Sequence, residues 1–229
     1  MEKPEVTVVI PVYNGEKYIN ETLESVLAQE YRSFEIIVVD DGSTDGSAEV
    51  VTSYKSVRYL HQRNQGVAVA RNVGISSALG NFIAFLDQDD LWEPSKLRIQ
   101  IDYLQRNPHV SYVLARQRIF LQPGVERPSW LREEHLRESQ AGYLPGTLVA
   151  RKTLFGTIGP FNPEFGTASD VEWFFRAKDL GVSMAMLPHV LLLHRIHNTN
   201  QSFQVDALHR EYLRIARQTM LRQMRKDEK

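Results

Sequence analysis

Short apolar runs alternate with segments of helical periodicity through the first half of the chain. Between the first two runs, Ile19, Leu23, Val26 and Leu27 recur at the spacing of one helix face. The strand-like runs stand at residues 6–10, 34–39, 57–60 and 81–86. Strands that are apolar on both sides need cover on both faces, and parallel strands need a crossover between them. The alternation predicts an α/β fold with a mainly parallel central sheet flanked by helices and a Rossmann-like first half.

The composition excludes several classes of protein. The chain has 229 residues, of which 42% are hydrophobic and 24% charged, as in ordinary globular domains. The net charge of −1 argues against binding of nucleic acid through bulk charge. The absence of cysteine excludes disulfides and thiolate metal sites and fits a reducing compartment. The amino-terminal stretch lacks the basic and apolar pattern of a signal peptide, so we expect a cytoplasmic protein.

The second half of the chain is less regular. It shows a strand pattern at residues 109–115, a strand followed by a helix at 146–159 and a helix within 169–181. Residues 116–145 combine proline, glycine and mixed charge, which predicts a variable loop with a short helix. Because no repeat or linker interrupts the sequence, we expect one domain over residues 1–208.

The last segment, residues 209–229, has a different character. It carries seven basic residues against three acidic ones, and apolar side chains recur every four residues along one side. That side consists of Leu208, Tyr212, Ala216, Met220 and Met224. The pattern predicts a basic amphipathic helix. Two interpretations stay open: the helix packs on its own domain with a solvated basic face, or it docks on a membrane surface or a partner.

Two of the apolar runs lead directly into carboxylates. Asp40 and Asp41 follow the second run, and Asp87, Asp89 and Asp90 follow the fourth. Ligands of open parallel sheets bind outside the carboxyl ends of the strands, so both acidic groups would line one crevice if the strands are neighbours. No GxGxxG or Walker motif follows a strand, and a carboxylate-bound Mg²⁺ or Mn²⁺ is then the simplest device for an anionic ligand. A cation that arrives with the substrate would also relieve the repulsion among three adjacent aspartates.

Simpler interpretations compete at both acidic groups. An N-cap of the helix after Pro94 accounts for one or two of the acids in residues 87–90, but not for all three. An Asx-type turn before Gly42 accounts for residues 40–41.

Four segments of the chain, in this order, resemble the motifs of family 2 glycosyltransferases. They read VVIPVYNGEKYINETLESVLAQEYRSFEIIVVDDGSTDGS, GVAVARNVGISSALGNFIAFLDQDD, SDVEWFFRAKDLG and RIHNTNQS, and the likeness covers residues 6–202. The resemblance implies a GT-A fold and an inverting transfer of sugar from a nucleotide-diphosphate sugar, for which UDP is the expected nucleotide. The implied acceptor is a glycan, a lipid-linked glycan or a peptide.

The resemblance also assigns the nucleotide to the first two strand ends. It implies that Pro11, Tyr13 and Glu16 hold the base and ribose. Asp41 is implied to accept a hydrogen bond from the base, with Asp40 close by. A carboxylate suits that role because its hydrogen bond from a base N–H is charge-assisted.

The same resemblance assigns other residues to the diphosphate and its metal. Asp87 and Asp89 match the D-x-D element and would hold Mn²⁺ or Mg²⁺, with Asp87 on the nucleotide side as well. His197 is implied as a third ligand, and a structural histidine is the alternative. Arg71 would face the diphosphate or order the aspartates, and a plain ion pair is its alternative. Arg195 is a further candidate for phosphate.

The catalytic base of the family is the second acid of an ED pair at a helix start. Here the pair reads Ser169-Asp170, so the first acid is absent and the second is kept. We therefore predict Asp170 as the general base, against the alternative of a plain helix cap. Glu172 is the competing acid, but two residues further along it points to another side of the helix.

Two other functions remain as alternatives. A nucleotidyltransferase-like enzyme also uses strand-end acids, although it usually brings a glycine-rich phosphate loop, which is missing here. A non-catalytic domain that binds nucleotide sugars is the second alternative, and the presence of Asp87, Asp89 and Asp170 argues against it.

Overall fold

The structure is a computed structural model that describes residues 3–200 and 205–227. These residues form one nine-stranded sheet with helices on both faces. The strands are β1 (Val6–Val12), β2 (Phe34–Asp40), β3 (Val57–His61), β4 (Phe82–Phe85), β5 (Leu91–Trp92), β6 (Tyr112–Leu121), β7 (Gln140–Ala141), β8 (Val149–Arg151) and β9 (Met184–Ile196). The helices are α1 (Ile19–Leu27), α2 (Ser47–Thr52), α3 (Val67–Ser77), α4 (Lys96–Arg106), α5 (Glu133–Arg137), α6 (Leu154–Ile158), α7 (Ser169–Asp179) and α8 (Val205–Asp227).

The strand order is β3-β2-β1-β4-β8-β6-β9-β5, with β7 paired to β6. The strands β3, β2, β1 and β4 pair in parallel through helical crossovers and form the Rossmann-like half that the sequence predicts. β8 runs antiparallel between β4 and β6, β6 pairs in parallel with β9, and β5 closes the edge antiparallel to β9. The prediction of an α/β fold with a mostly parallel sheet is confirmed.

The alternating sides of β1 show how the core is divided. Val8 packs on one face with α1 and α4, whereas Val9 packs on the other face with α3 and the aromatic cluster around Trp173. Helix α3 lies so close to β1 that a Cβ at Gly74 would come within 2.2 Å of Val9 Cγ1. The close approach brings the side chains of α3, including Arg71, to the strand ends.

The largest departure from the predicted elements is in the segment expected to be a variable loop. Residues 116–121 continue β6, because β9 pairs with them along their whole length. The short helix expected in that loop is α5. Within the described residues, no helix is long and apolar enough to cross a membrane.

Helix α8 is present as predicted, but the side it buries differs from the predicted apolar side. Ile215 and Thr219 are buried against the domain, whereas Tyr212, Met220 and Met224 are exposed. The reason is that α8 is fixed to α7 partly through polar contacts, which select a different face. The ends of two sequence segments, residues 201–202 of RIHNTNQS and residues 228–229 of the tail, lie outside the described residues.

Candidate active site

The two acidic strand ends lie at one edge of the sheet, on either side of β1. β1 pairs in parallel with β2 on one side and with β4 on the other, and Val12 lies opposite Asp40. Pro11 is buried within β1 opposite Val39. All three strands therefore present their carboxyl ends at the same edge, where open α/β sheets bind ligands. The strand order therefore places the two acidic groups at neighbouring positions of one sheet edge, as the predicted crevice requires.

Gln88, the middle residue of the D-x-D element, ties the loop after β1 to the acidic segment. The Tyr13 amide donates to Gln88 Oε1 (2.8 Å), and Gln88 Nε2 donates to the Tyr13 carbonyl (3.2 Å). This exchange imitates the paired bonds of an antiparallel ladder. A Cβ at Gly15 would lie 2.6 Å from Gln88 Oε1, so a larger residue there would displace the Gln88 side chain. The sequence reasoning gave Gln88 no role.

The same loop is also fastened to the loop after β2. Asn14 adopts a positive φ of 50°, and its Oδ1 accepts from the Thr44 amide (2.8 Å). The Glu16 amide donates to Asp45 Oδ2 (3.1 Å), while Glu16 Oε2 accepts from the Gly46 amide (3.0 Å). Glu16, predicted to contact the nucleotide, thus already has a partner in the protein. Tyr13 is 48% exposed at the rim of the crevice.

Asp40 and Asp41 are buried, and neutral donors satisfy both of them. Asp40 accepts from the Ser43 amide (2.8 Å) and from the Tyr59 hydroxyl, and burial together with Asp40 raises the pKa of Tyr59. Asp41 accepts at 2.7–2.8 Å from Gln62 Nε2 and from the amides of Gln65 and Gly66. Asp40 therefore joins its own turn to β3, whereas Asp41 joins the loops after β2 and β3.

Arg71 connects the acidic end of β4 with the start of α7. Its Nη2 donates to Asp87 Oδ1 (2.7 Å), and its guanidinium lies over the Phe161 ring, 5.6 Å from the centroid. Burial raises the pKa of Asp170, and the positive charge of Arg71 opposes that rise. Among the described residues, the buried Arg71 Nε has no hydrogen-bond partner. Arg71 thus orders Asp87 and acts electrostatically on Asp170.

Asp89 meets His197, the residue that the resemblance implies as a further metal ligand. His197 Nε2 lies 2.8 Å from Asp89 Oδ2. The His197 ring is buried and stacks on Tyr18, with 4.5 Å between centroids, and its Nδ1 lies 2.9 Å from Thr199 Oγ1. The contact joins the end of β9 to the end of β4.

Asp90, the third acid of the segment, forms a buried pair that the sequence reasoning missed. His194 Nδ1 lies 2.9–3.0 Å from its two carboxylate oxygens, and the Arg195 amide donates to Oδ1 (2.9 Å). Burial raises the pKa of Asp90 to about 6, although His194 opposes the rise. Burial acts against a charged His194, but Asp90 outweighs it and raises the pKa of His194 to about 9. Each acid of the segment therefore has a cationic or ionisable partner within the chain.

Arg195, a candidate for phosphate, is fully engaged by protein groups. Its Nε donates to the Asp89 carbonyl (2.8 Å) and its Nη1 to Gln122 Oε1 (2.6 Å), while Nη2 pairs with Glu21 Oε2. The guanidinium also lies over the Tyr18 ring. A phosphate contact by Arg195 would require these bonds to break, so the arrangement favours a structural role.

The carboxyl ends of the strands provide only some of the ligands that a divalent cation needs. Within the described part of the chain, hydrogen bonds to the two D-x-D carboxylates use Asp87 Oδ1 and Asp89 Oδ2, which leaves the other oxygen of each for a ligand. No three His, Cys, Asp or Glu side chains of that part converge as a ready-made site, so Asp87, Asp89 and His197 are not a preformed cluster. Mg²⁺ or Mn²⁺ commonly binds through one or two carboxylates and substrate phosphates. The residues present fit a metal that binds together with a diphosphate.

The start of α7 separates the two candidates for the general base. Asp170 lies in the first turn of α7, within electrostatic reach of Arg71 and Asp87. Glu172 is buried, and both its oxygens accept from Arg176 Nε (2.9 and 2.8 Å). Glu172 is therefore held in a structural ion pair, and Asp170 is the acid that faces the strand ends. Ser169, where the family has an acid, buries a hydroxyl that has no partner among the described residues.

The fold is that of the GT-A glycosyltransferases. Staphylococcus aureus TarS 1–349 in complex with UDP-GlcNAc has a TM-score of 0.69 at 24% identity, over 86% of this chain and 60% of that one. The mannosyltransferase PcManGT from Pyrobaculum calidifontis, in complex with GDP-Man and Mn²⁺, has a TM-score of 0.67 at 22% identity, over 87% of this chain and 59% of that one. The family model Glycosyl transferase family 2 matches residues 7–163, more than half of the chain. The chain belongs to this family.

A curated relative supports the membership over nearly the full chain. The uncharacterized glycosyltransferase RT0329 of Rickettsia typhi is 32% identical over 239 residues, which cover 95% of this chain and 74% of the relative. Other relatives are much longer, and the chain spans only 19–26% of the length of three of them.

Proposed function

We propose that this chain is an inverting glycosyltransferase domain that moves a sugar from a UDP-sugar to an acceptor nucleophile. The observation that carries the proposal is the position of Arg71, which binds Asp87 at the end of β4 and acts electrostatically on Asp170 at the start of α7. Asp87 on the donor side and Asp170 as the proton acceptor thus both lie near Arg71. Family membership supports the reaction class, and the UDP-GlcNAc complex of TarS supports the choice of nucleotide.

The nucleotide binds over the ends of β1 and β2 in this proposal. Tyr13 and Glu16 contact the base and ribose from the rim, and Asp41 accepts a hydrogen bond from the base. Pro11 and Asp40 form the floor beneath them, since both are buried. Asp41 is suited to its role because it is held by three donors and does not need to reorganise on binding.

The diphosphate lies at the end of β4. Asp87 and Asp89, with His197 hydrogen-bonded to Asp89, would hold Mn²⁺ or Mg²⁺, which would bind together with the diphosphate. When bound, the metal supplies positive charge against the leaving diphosphate. The oxygens that these aspartates leave without protein partners support this assignment, as does the Mn²⁺ in the PcManGT complex.

Asp170 is the general base. It accepts the proton of an acceptor hydroxyl as that oxygen attacks the anomeric carbon and the bond to the diphosphate oxygen breaks. Attack from the face opposite the leaving group inverts the anomeric centre, and no covalent enzyme intermediate forms. Burial, which raises the pKa of Asp170, makes it a stronger proton acceptor than an exposed aspartate.

The test is release of UDP from UDP-sugars by the purified chain, with and without Mn²⁺. Metal-dependent UDP release with transfer of the sugar supports the proposal. Formation of pyrophosphate supports a nucleotidyltransferase instead, and binding without turnover supports a non-catalytic domain. A panel of glycan, lipid-linked and peptide acceptors then identifies the acceptor class.

We further propose that the outward face of α8 rests on the inner, anionic surface of the cytoplasmic membrane. Leu213, Met220 and Met224 are 60–74% exposed, and the exposed Arg210 and Arg217 lie on the same outward side. Apolar side chains flanked by arginine are typical of helices that lie in a membrane interface. This placement brings the domain to a lipid-linked acceptor.

A further inference from the structure

Glu211 of α8 turns toward the segment that leads into α7, away from the basic outer face. Its carboxylate accepts hydrogen bonds from the amides of Gly166 (2.9 Å), Thr167 (3.1 Å) and Ala168 (2.7 Å) and from the Thr167 hydroxyl (3.0 Å). Ala168 is the cap residue of α7, two positions before Asp170. One carboxylate thus binds three successive backbone N–H groups, an arrangement in which each bond is charge-assisted.

Apolar packing fixes the same segment from the same helix. Phe165, Ala168 and Ile215 are buried together, with Leu208 packed against them. Helix α8 therefore touches the 165–168 segment, defined here as the base-proximal segment, both through Glu211 and through an apolar cluster.

Tyr212, the next residue of α8, also lies near the proposed base, Asp170. Burial and the negative charges of Asp170 and Glu211 raise the pKa of Tyr212. The phenol is therefore within electrostatic reach of Asp170, and this turn of α8 lies beside the proposed base.

We propose that Glu211 is a positioning residue of the transfer reaction. By fixing the base-proximal segment, it sets the first turn of α7 so that the Asp170 carboxylate meets the acceptor hydroxyl. A general base acts only within hydrogen-bond reach of its proton, and small errors in position cost much of the rate. The inference rests on the proposed role of Asp170, and it assigns part of the catalytic geometry to the carboxyl-terminal helix.

Arg222 provides a matched control on the same helix. It donates to Asp179 Oδ2 (2.7 Å) at the opposite end of α7 and to Thr219 Oγ1 (3.0 Å), and its Nη1 lies 3.9 Å from Glu172 Oε1. Loss of Arg222 weakens helix docking without touching the base-proximal segment. A purely structural role for Glu211 predicts that Glu211→Ala and Arg222→Ala behave alike.

The experiment compares Glu211→Ala, Arg222→Ala, Asp170→Asn and the double variant Glu211→Ala/Asp170→Asn in the full chain. In Glu211→Ala we expect transfer kcat to fall by about 10- to 100-fold, while the dissociation constant for UDP-sugar stays within about twofold. Amide hydrogen exchange should quicken at residues 166–168. Arg222→Ala should keep kcat near wild type, and Glu211→Ala should cause no further loss in the Asp170→Asn background, because the two residues act as a unit.

A folded Glu211→Ala variant with wild-type kcat overturns the inference and leaves the proposed function intact. An equal further loss in the Asp170→Asn background also overturns it, since Glu211 would then act elsewhere. If the wild-type chain transfers no sugar, or Asp170→Asn is fully active, the proposed function fails and the inference falls with it. Should Glu211→Ala not fold, Glu211→Gln, which keeps the shape and one acceptor oxygen, is judged by the same criteria.

Discussion

The acidic groups at the ends of β2 and β4 look alike in sequence but are stabilised in opposite ways. Asp40 and Asp41 accept only from neutral donors, which lie 3 to 25 residues further along the chain. Asp87, Asp89 and Asp90 instead meet Arg71, His197 and His194 respectively, two of which come from the far end of the chain. A carboxylate held by neutral N–H groups keeps its charge for a ligand in a fixed place. A carboxylate paired with an arginine or a histidine side chain can exchange that partner when a substrate or a metal arrives.

The largest expected effect concerns Asp170. It belongs to neither acidic group, but it lies within electrostatic reach of Arg71, the partner of Asp87. Asp170→Asn should lower the transfer rate by about 10² to 10⁴-fold, because an amide cannot accept the proton. Donor affinity should stay near wild type, since the donor contacts come from other residues. Transfer kinetics together with donor binding, on folded protein, give the measurement. In the wild type the rate should fall as the pH drops through the pKa of Asp170, which burial raises, since the protonated acid is no longer a base.

Ser169→Ala is the control for that variant. The Ser169 hydroxyl has no partner among the described residues, so its removal should leave transfer close to wild type. Near-normal transfer by Asp170→Asn would rule out the base assignment.

The next prediction tests whether the acidic groups at the ends of β2 and β4 have different roles. Asp89→Asn should lower transfer by about 10³-fold, because metal catalysis contributes several kcal/mol and each 1.36 kcal/mol is a factor of ten. UDP binding should also lose its dependence on Mn²⁺, which titration calorimetry with and without the metal measures.

Asp41→Asn is the matched exchange in the other group. It removes charge from a carboxylate that three donors hold, so UDP binding should weaken about tenfold with or without Mn²⁺. If Mn²⁺ dependence were lost in Asp41→Asn and kept in Asp89→Asn, the contrast between the groups would be reversed.

A smaller effect tests the pairing of Asp90. The pKa of His194 is raised to about 9 in the folded chain from 6.5, so its contribution to stability is fully present below pH 6.5 and is lost as the pH rises through 9. The free energy of unfolding should therefore fall between pH 6.5 and 9, by at most about 1.4 kcal/mol per pH unit for one proton. Urea unfolding across this range measures the slope. His194→Gln should abolish it, and replacement of the exposed His209 by glutamine should not.

The smallest expected effect concerns α8. Leu213→Ser with Met220→Ser should weaken binding to vesicles that contain anionic lipid, because apolar area buried in the interface is lost. Sedimentation with anionic and with neutral vesicles provides the assay, and UDP release in solution should not change. Equal binding by wild type and variant would contradict the membrane proposal.

Local patterns predicted much of the fold. The apolar runs of the first half became β1 to β4, and Ile19, Leu23 and Val26 of α1 are buried as their spacing indicates. These predictions succeed because each depends on neighbours within a few residues.

What the sequence could not predict depends on contacts between distant residues. Residues 116–121 lead into a stretch rich in proline, glycine and charge, and their pairing along their whole length with β9, far along the chain, makes them part of a strand. The pair of Asp90 and His194 spans 104 residues of the chain, with no local signal for either partner. The buried face of α8 was missed because Glu211 and Arg222, both charged, are among the residues that fix it.

The double hydrogen bond between Gln88 and Tyr13 sets a rule for engineering this domain. A library that varies residues 87–89 would also alter the loop after β1, which carries Tyr13 at the rim of the nucleotide site. The reason is that the Gln88 side chain connects the two segments. Only residues with both an amide donor and an acceptor of the right length can replace Gln88 without moving that loop. Changes of donor preference are therefore best sought with position 88 held constant.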